Sequence, residues 1–368
     1  MVLNQNETKS EQPKVSGEGH ASRPKLSTTP GTSAFTLTEL LVVIAIIAVL
    51  AALATNAAIN ALNAGKRTAI TLELQQLATA VEQFKADFGA YPPNGMQNST
   101  YLGFAPNDFT RMFNKAFPRH NEPGSLIAGL AGAGTSSLQF DADNRGMNGA
   151  EALVFWLGGF SKDSQFPISG PGGPSYDKTL GITGESLEER NRLYGFDLGR
   201  LGPRDSAGQF SGRFIAYEVD LNRDGDTNDF GEQRQINLWF YTPSGSEQPI
   251  AYFDASRHRA QVETSPGTFV NNYDPYFGQL SPTFMDSFFA IKRPNQTNPV
   301  RIEFANQGKF QILHAGLDDI WGNMTVMHIG AQGDPASNVL LYPEGPFIGD
   351  IADTLTNFTT GTLEDAQE

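Results

Sequence analysis

The residues with the clearest chemical pattern lie between Asp220 and Asp229. Side chains that carry oxygen occur there at alternate positions, and Gly225 stands where such a loop turns sharply. Ca²⁺ binds six to eight oxygen ligands, and a loop of this type wraps around it. The predicted ligands are Asp220, Asn222, Asp224, Asp226 and Asn228.

The end of this loop departs from the EF-hand pattern, which has Glu at the twelfth position. This chain has Gly231 there, and Glu232 follows one residue later. The sequence therefore predicts an EF-like calcium loop between two strands, not an EF-hand between helices. The alternative is an ordinary acidic hairpin turn, because Asp, Asn and Gly are common turn residues.

Residues for catalysis form no comparable pattern. The chain has no cysteine, which excludes disulfides, thiolate metal sites and cysteine nucleophiles. Its five histidines lack a metal-ligand spacing such as H-E-x-x-H. Neither a G-x-S-x-G nucleophile elbow nor a G-x-x-x-x-G-K-[ST] phosphate loop occurs in the sequence. We therefore expect a protein that is not an enzyme.

Charge excludes one class of partner. The formal net charge is −14, and residues 1–34 contribute +1 from four basic and three acidic side chains, so the remainder carries −14 − 1 = −15. Phosphate contacts need clustered Lys and Arg, so we expect no nucleic-acid partner. With 39 % hydrophobic residues and 26 Phe, the acidic part can still bury a sizeable core.

A carboxylate, that of Glu39, stands at the start of a long apolar run. The 15 residues Leu40–Ala54 are all apolar, and the 20 residues 35–54 would span about 30 Å as a helix, the thickness of a bilayer core. A charge within such a segment is costly and usually functional, although a charge near the interface can reach the headgroups. We predict that residues 35–54 are the transmembrane half of an N-terminal helix.

An amphipathic pattern follows the apolar run. Apolar residues recur at spacings of three and four, which is one face of a helix. This stripe consists of Ile70, Leu74, Leu77, Val81, Phe84 and Phe88. Gly89 and the prolines after Tyr91 end the helix. Residues 55–90 are therefore predicted to be the amphipathic half, whose stripe is covered by a sheet.

Short apolar runs between Gly- and Pro-rich segments characterise the rest of the chain, residues 91–368. Their alternation predicts strands, and Ala150–Leu157 is predicted to be a short buried helix. The predicted strands are Phe214–Val219, Ile236–Tyr241, Ile250–Phe253, Val300–Phe304, Phe310–Leu313 and Met324–His328. The predicted fold class is α+β, with a long N-terminal helix packed on an antiparallel β-sheet domain.

The segment from Phe35 to Ile44 resembles the class III signal of type IV pilins and type II secretion pseudopilins. It has an aromatic first residue, Glu five positions into the mature chain, and an apolar run. The resemblance implies cleavage after Ala34 by a prepilin peptidase, N-methylation of Phe35, and pairing of Glu39 with the terminal amine of a neighbouring subunit. Residues 1–34 would then be a cleaved cytoplasmic leader. The family usually has Gly before the cleaved bond, where this chain has Ala34.

Two further strings resemble major pseudopilins of type II secretion. Residues 84–92 are similar to the Y-x-x-x-x-G-x-Y-P helix exit, with Phe84 in the first aromatic position. Residues 310–318 are similar to an F-x-[IL]-x-S-x-G-x-D strand and turn, with His314 in place of Ser. The family's globular domain is shorter, so residues of about 95–210 would be an insertion and about 211–368 the sheet region with the calcium loop. Such enlargement resembles planctomycete-type members.

The resemblance implies a pilin-like fold and a structural function. The chain would be a single-pass protein of the inner membrane, with its C-terminal domain extracytoplasmic, and would assemble into a periplasmic secretion filament. Implied partners are other pseudopilins in homo- and hetero-oligomers, a prepilin peptidase and methylase, the inner-membrane assembly platform and membrane lipid. Major pseudopilins also bind Ca²⁺.

Two alternatives remain open at the level of sequence. The chain could be a type IV pilin or a minor, tip-located pseudopilin. Alternatively, Ala52-Leu53-Ala54 could end an ordinary secretory signal, which would release a calcium-binding or hydrolytic domain that begins at Thr55.

Overall fold

Four helices, two 3₁₀ turns and eleven short strands occur in the residues that the structure, a computed structural model, describes. These residues are 35–93, 107–132, 146–175, 190–203, 206, 211–220, 224–227, 229, 232–256, 261–265, 268–270, 291–292, 301–306, 308–321, 342–343 and 347–367. The helices are α1 Leu37–Phe88, α2 Asn107–Ala116, α3 Gly124–Leu130 and α4 Gly149–Leu157, and the 3₁₀ turns are Leu198–Arg200 and Gly349–Ile351.

The strands are short, and every pairing between them is antiparallel. They are β1 Leu201–Gly202, β2 Phe214–Glu218, β3 Gln233–Asn237, β4 Phe240–Tyr241, β5 Ala251–Phe253, β6 Gln261–Ser265, β7 Thr268–Val270, β8 Ile291–Lys292, β9 Arg301–Phe304, β10 Gln311–His314 and β11 Leu355–Thr356. They form four small sheets with the orders β1-β4, β2-β3, β11-β10-β5 and β7-β6-β9-β8. The α+β class is confirmed.

The chain divides into two compact units, and the boundary lies between Ala57 and Ala58. The first contains the apolar start of α1, whose large side chains are exposed. The second contains the rest of α1, where the predicted stripe is buried from Ile70 to Phe84 and Phe88 packs against the core. The helix ends at Phe88 as predicted, and Gly89 has a positive φ of 77°.

The core of the second unit is built around aromatic contacts between helices. All residues of α4 are buried, and its Trp156 meets Phe84 of α1 edge-on, with ring centroids 5.4 Å apart. Phe109 of α2 lies 5.3 Å from the same indole. Residues inside the predicted insertion therefore pack in one core with α1. The sequence pattern predicted that a sheet would cover the stripe of α1. In the structure, helices α2 and α4 also pack against it.

Strand positions follow the prediction closely at Phe214–Val219 and Ile250–Phe253, but the run Ile236–Tyr241 is divided. Its first part belongs to β3, which pairs with β2, and its last part is β4, which pairs with β1. Predicted strand Met324–His328 lies outside the described residues. The β2–β3 hairpin carries the predicted calcium loop.

Candidate functional site

The start of α1 holds the predicted assembly residue in a reciprocal capping box. The backbone N–H and the hydroxyl of Thr36 donate to Glu39 Oε2, at 2.9 and 2.8 Å. In return, the backbone N–H of Glu39 donates to Thr36 Oγ1 at 3.3 Å. This arrangement satisfies donors that a helix N-terminus otherwise leaves unpaired. The carboxylate is thus held at the helix start by its own chain.

The surroundings of this capping box are apolar and open. Phe35 is 78 % exposed, and the side chains that follow Glu39 along α1 are also exposed. Among the described residues, α1 is the helix long and apolar enough to cross a membrane, a property shared by spans and by N-terminal signal sequences. Ala34, the other predicted processing residue, lies outside the described residues.

The exit of α1 is anchored by two buried hydrogen bonds to consecutive carbonyls. Tyr252 Oη donates to the Pro92 carbonyl oxygen at 2.9 Å, and Trp156 Nε1 donates to that of Pro93 at 3.1 Å. The prolines stop the helix, and the two aromatic donors fix the direction in which the chain leaves it. Neither donor was singled out from the sequence, because each lies far along the chain from the motif.

Tyr91 also fixes the exit of α1, through contacts with the core and with side chains of α1 itself. Its ring packs edge-on against Phe310, with centroids 5.0 Å apart, so the two strings that resemble pseudopilins meet in the core. Its hydroxyl donates to Glu82 at 3.1 Å and accepts from Lys85 Nζ at 3.0 Å. Burial raises the pKa of Tyr91, so its phenol stays protonated and keeps this network.

The predicted calcium loop joins β2 to β3, and its first ligand folds back over the turn. Gly225 has a φ of 96°, and its N–H donates to Asp220 Oδ2 at 3.1 Å. The N–H of Asp226 donates to Asp224 Oδ1 at 3.0 Å. Asp220 is therefore directed toward the inside of the turn. Asn222 and Asn228, the two predicted amide ligands, lie outside the described residues.

Glu232 closes the loop at its base. Its side chain is almost wholly buried, and Oε2 accepts from the Asp229 N–H at 3.0 Å. Its carbonyl oxygen accepts from the Val219 N–H at 2.9 Å, which continues the hairpin ladder. Within the described part of the chain, no three acidic or histidine side chains converge as a ready-made metal cage. The described part of the loop therefore presents carboxylate oxygens above a fixed base.

His314, which stands where the similar string of pseudopilins has Ser, is a buried structural histidine. Its Nδ1 accepts from the Gly316 N–H at 3.1 Å, which assigns the ring proton to Nε2, and Nε2 lies 2.8 Å from Ser246 Oγ. Ser246 in turn donates to Asp319. The imidazole therefore cannot take the proton of Ser246, as a nucleophile's base would. Burial lowers the pKa of His314 to about 4, so the ring is neutral at pH 7.

Comparison with protein-family models, with curated proteins and with solved structures finds no match to this chain. The features of this chain that bear on its function are the motif strings and the geometry of the helix start, the helix exit and the loop. Thr36 and Glu232 also belong to the candidate site, although the sequence analysis did not predict them as site residues. The T-x-x-E spacing of a capping box is the signal in the sequence that indicates Thr36.

Proposed function

We propose that this chain is a pseudopilin-like structural subunit that assembles into a periplasmic filament of the type II secretion kind. One observation carries the proposal. The exposed Phe35 lies just before α1. The helix carries Glu39 in its first turn, continues as an exposed apolar segment, and ends in a stripe buried within a globular core. An exposed apolar segment of this length needs lipid, other subunits or both around it.

In this proposal the monomer waits in the inner membrane and exchanges the partners of Glu39 during assembly. The capping box satisfies the carboxylate while the subunit is alone. After the leader is removed at Ala34, the new amine of a neighbour's Phe35 replaces Thr36 as the partner. An ion pair away from water is tolerable only when both charges are present. The pairing therefore favours register between subunits and needs no catalytic residue in this chain.

Continuity of α1 favours this proposal over an ordinary secretory signal. The residues Ala52–Ala54 lie in the middle of a helix that extends from Leu37 to Phe88, with no break at Thr55. A signal peptide would instead end near a small-residue site where the chain leaves the helical segment.

Processing of the N-terminus provides the test. We expect the full chain, expressed with a prepilin peptidase and methylase, to lose 34 residues and to begin at methylated Phe35. Without the peptidase it should keep its leader. Ala34→Gly is the matched variant, and it should be cleaved at least as rapidly, because Gly is the family's usual residue there. Mass spectrometry of the mature N-terminus measures all three results, and a start at Thr55 would refute the proposal.

A minor, tip-located position or a type IV pilin is the second candidate within the same class. In the globular part, α2, α3 and α4 add to the core around α1. This large size favours a tip position, because a shaft subunit has neighbours on its sides that limit the size of its globular part. Counting this subunit against the other pseudopilins in isolated filaments distinguishes the two positions. A tip subunit gives about one copy per filament, whereas a shaft subunit dominates the composition.

We also propose that the β2–β3 loop binds Ca²⁺ through Asp220, Asn222, Asp224, Asp226 and Asn228. The loop gathers negative charge over a few residues, and a bound cation removes that repulsion. A protein without cysteine gains rigidity from such an ion, and a ligand that binds only the folded state raises its stability.

Thermal unfolding of the full chain in detergent tests the calcium site. We expect the melting temperature to rise with Ca²⁺ and to fall with chelator, and Asp224→Ala should remove this response. Glu247→Ala is the matched control, since it deletes one exposed acidic side chain outside the loop and should keep the response. An equal response in Asp224→Ala and wild type would refute calcium binding at this loop.

A further inference from the structure

A cavity of about 100 Å³ lies between the C-terminal end of α4, residues 190–201 and the end of β3. Most of its wall is apolar. The apolar side chains include Val154 and Phe155 from α4, Phe196, and Leu238 after β3. The volume is well below that of a drug-sized or nucleotide site, which takes about 300 Å³ or more. It is closer to a cavity of about 150 Å³ that holds benzene. The cavity therefore fits an apolar group of about five carbons.

Two of the charged side chains in the wall, Glu151 and Arg190, already have partners. Glu151 is 4 % exposed, and its Oε2 lies 3.0 Å from Arg213 Nη1 and accepts the Asn148 N–H at 2.9 Å. This carboxylate is thus already neutralised. Arg190 is held in place by bonds from its guanidinium to the carbonyl oxygens of Gly172 and Gly173. Two arginines and one glutamate are thus the charged residues that line the cavity.

Arg192 is the cation that a ligand can use. It lines the cavity and is exposed to solvent, so a ligand that enters from solvent can reach it. With the residues that the structure describes, it forms no hydrogen bond or ion pair. Guanidinium pairs with a carboxylate through two parallel hydrogen bonds, so an arginine in the lining of an apolar cavity selects an acid with an apolar tail.

We propose that this cavity binds a carboxylate attached to a branched apolar group of about five carbons, with Arg192 on the carboxylate and the apolar walls around the tail. Two sources share this chemistry, a free branched-chain acid and the C-terminal leucine of a polypeptide. The proposal does not depend on filament assembly, and it assigns a ligand to a part of the globular unit that assembly does not use.

The test uses the full chain in lipid nanodiscs and follows the change in tryptophan fluorescence, since Trp239, one of the three tryptophans, lines the cavity. The probes are 4-methylpentanoate and its uncharged amide, and acetyl-Gly-Gly-Leu with a free or an amidated C-terminus. We expect saturable binding of the acids, with the amides weaker by about tenfold or more because they lose a charge-assisted bond. Tighter binding of the peptide acid identifies a polypeptide end as the source, and tighter binding of the free acid identifies a small molecule.

Two variants separate the charge from the tail. Arg192→Gln changes an exposed side chain and should remove the preference for acid over amide. Val154→Phe fills the cavity and should abolish binding of all four probes, with its melting temperature measured to show that it folds. Equal binding of acid and amide to the wild type, unchanged selectivity in Arg192→Gln, or no binding of any probe would each overturn the proposal.

Discussion

The substitution Glu39→Gln is expected to abolish incorporation into filaments while membrane insertion and processing continue. Either Glu or Gln completes a capping box, so the bond that the Thr36 N–H donates to the side-chain oxygen survives the change. Only the charge is lost. If Glu39 receives the amine of a neighbouring Phe35, the neutral amide leaves that cation unpaired away from water, and assembly fails. Fractionation of sheared filaments from membranes, with immunoblotting of both, measures the result.

Thr36→Val is the matched variant for this experiment. It removes the hydroxyl that donates to Glu39 Oε2 and accepts the Glu39 N–H, but keeps the carboxylate. We expect it to form filaments, with only a weakened helix start. Wild-type amounts of filament from Glu39→Gln would show that Glu39 acts as a helix cap alone, and the proposed pairing with Phe35 would then be wrong.

The substitution Phe84→Ala is expected to lower the free energy of unfolding of the globular unit by about 3–5 kcal/mol. Phe84 has no exposed surface, and its ring lies 4.6 Å from Phe88 and 5.4 Å from Trp156 between centroids. Removing it leaves a void between α1 and α4, because rigid rings on both sides cannot fill the space. Denaturant unfolding of the full chain in detergent, followed by near-ultraviolet circular dichroism, gives the energy.

Leu72→Ala on the same helix provides the comparison. Leu72 is 51 % exposed, and its truncation should change the unfolding free energy by less than about 0.5 kcal/mol. Equal destabilisation by the two variants would mean that the stripe of α1 is not the part that packs in the core.

Sequence periodicity predicted α1 well, because a stripe at spacings of three and four and a terminal glycine are local signals. The predicted end at Gly89 agrees with the structure. It did not predict α3, which contains glycine, a poor helix former. The structure places Gly129 inside α3, where a Cβ would lie 2.5 Å from Ile215 Cγ2. Close packing on β2, which no local pattern reveals, selects glycine there.

The candidate site shows the same division. Glu39 and the acidic loop were predicted because their residue types and spacing are local. The donors at the helix exit were not, because Tyr252 and Trp156 come from separate elements and meet the prolines only in the folded chain. The cavity near Arg192 was also not predicted, since it is formed where three segments fail to fill space completely.

The anchored exit of α1 has a mechanical consequence. A subunit that is pulled along its N-terminal helix transmits the force to its globular part through the residues that follow Phe88. There, Tyr252 donates a hydrogen bond to the carbonyl oxygen of Pro92, and Trp156 donates one to that of Pro93. Because the two carbonyl groups are consecutive in the chain, both bonds must break before the exit of α1 can separate from the core at this point.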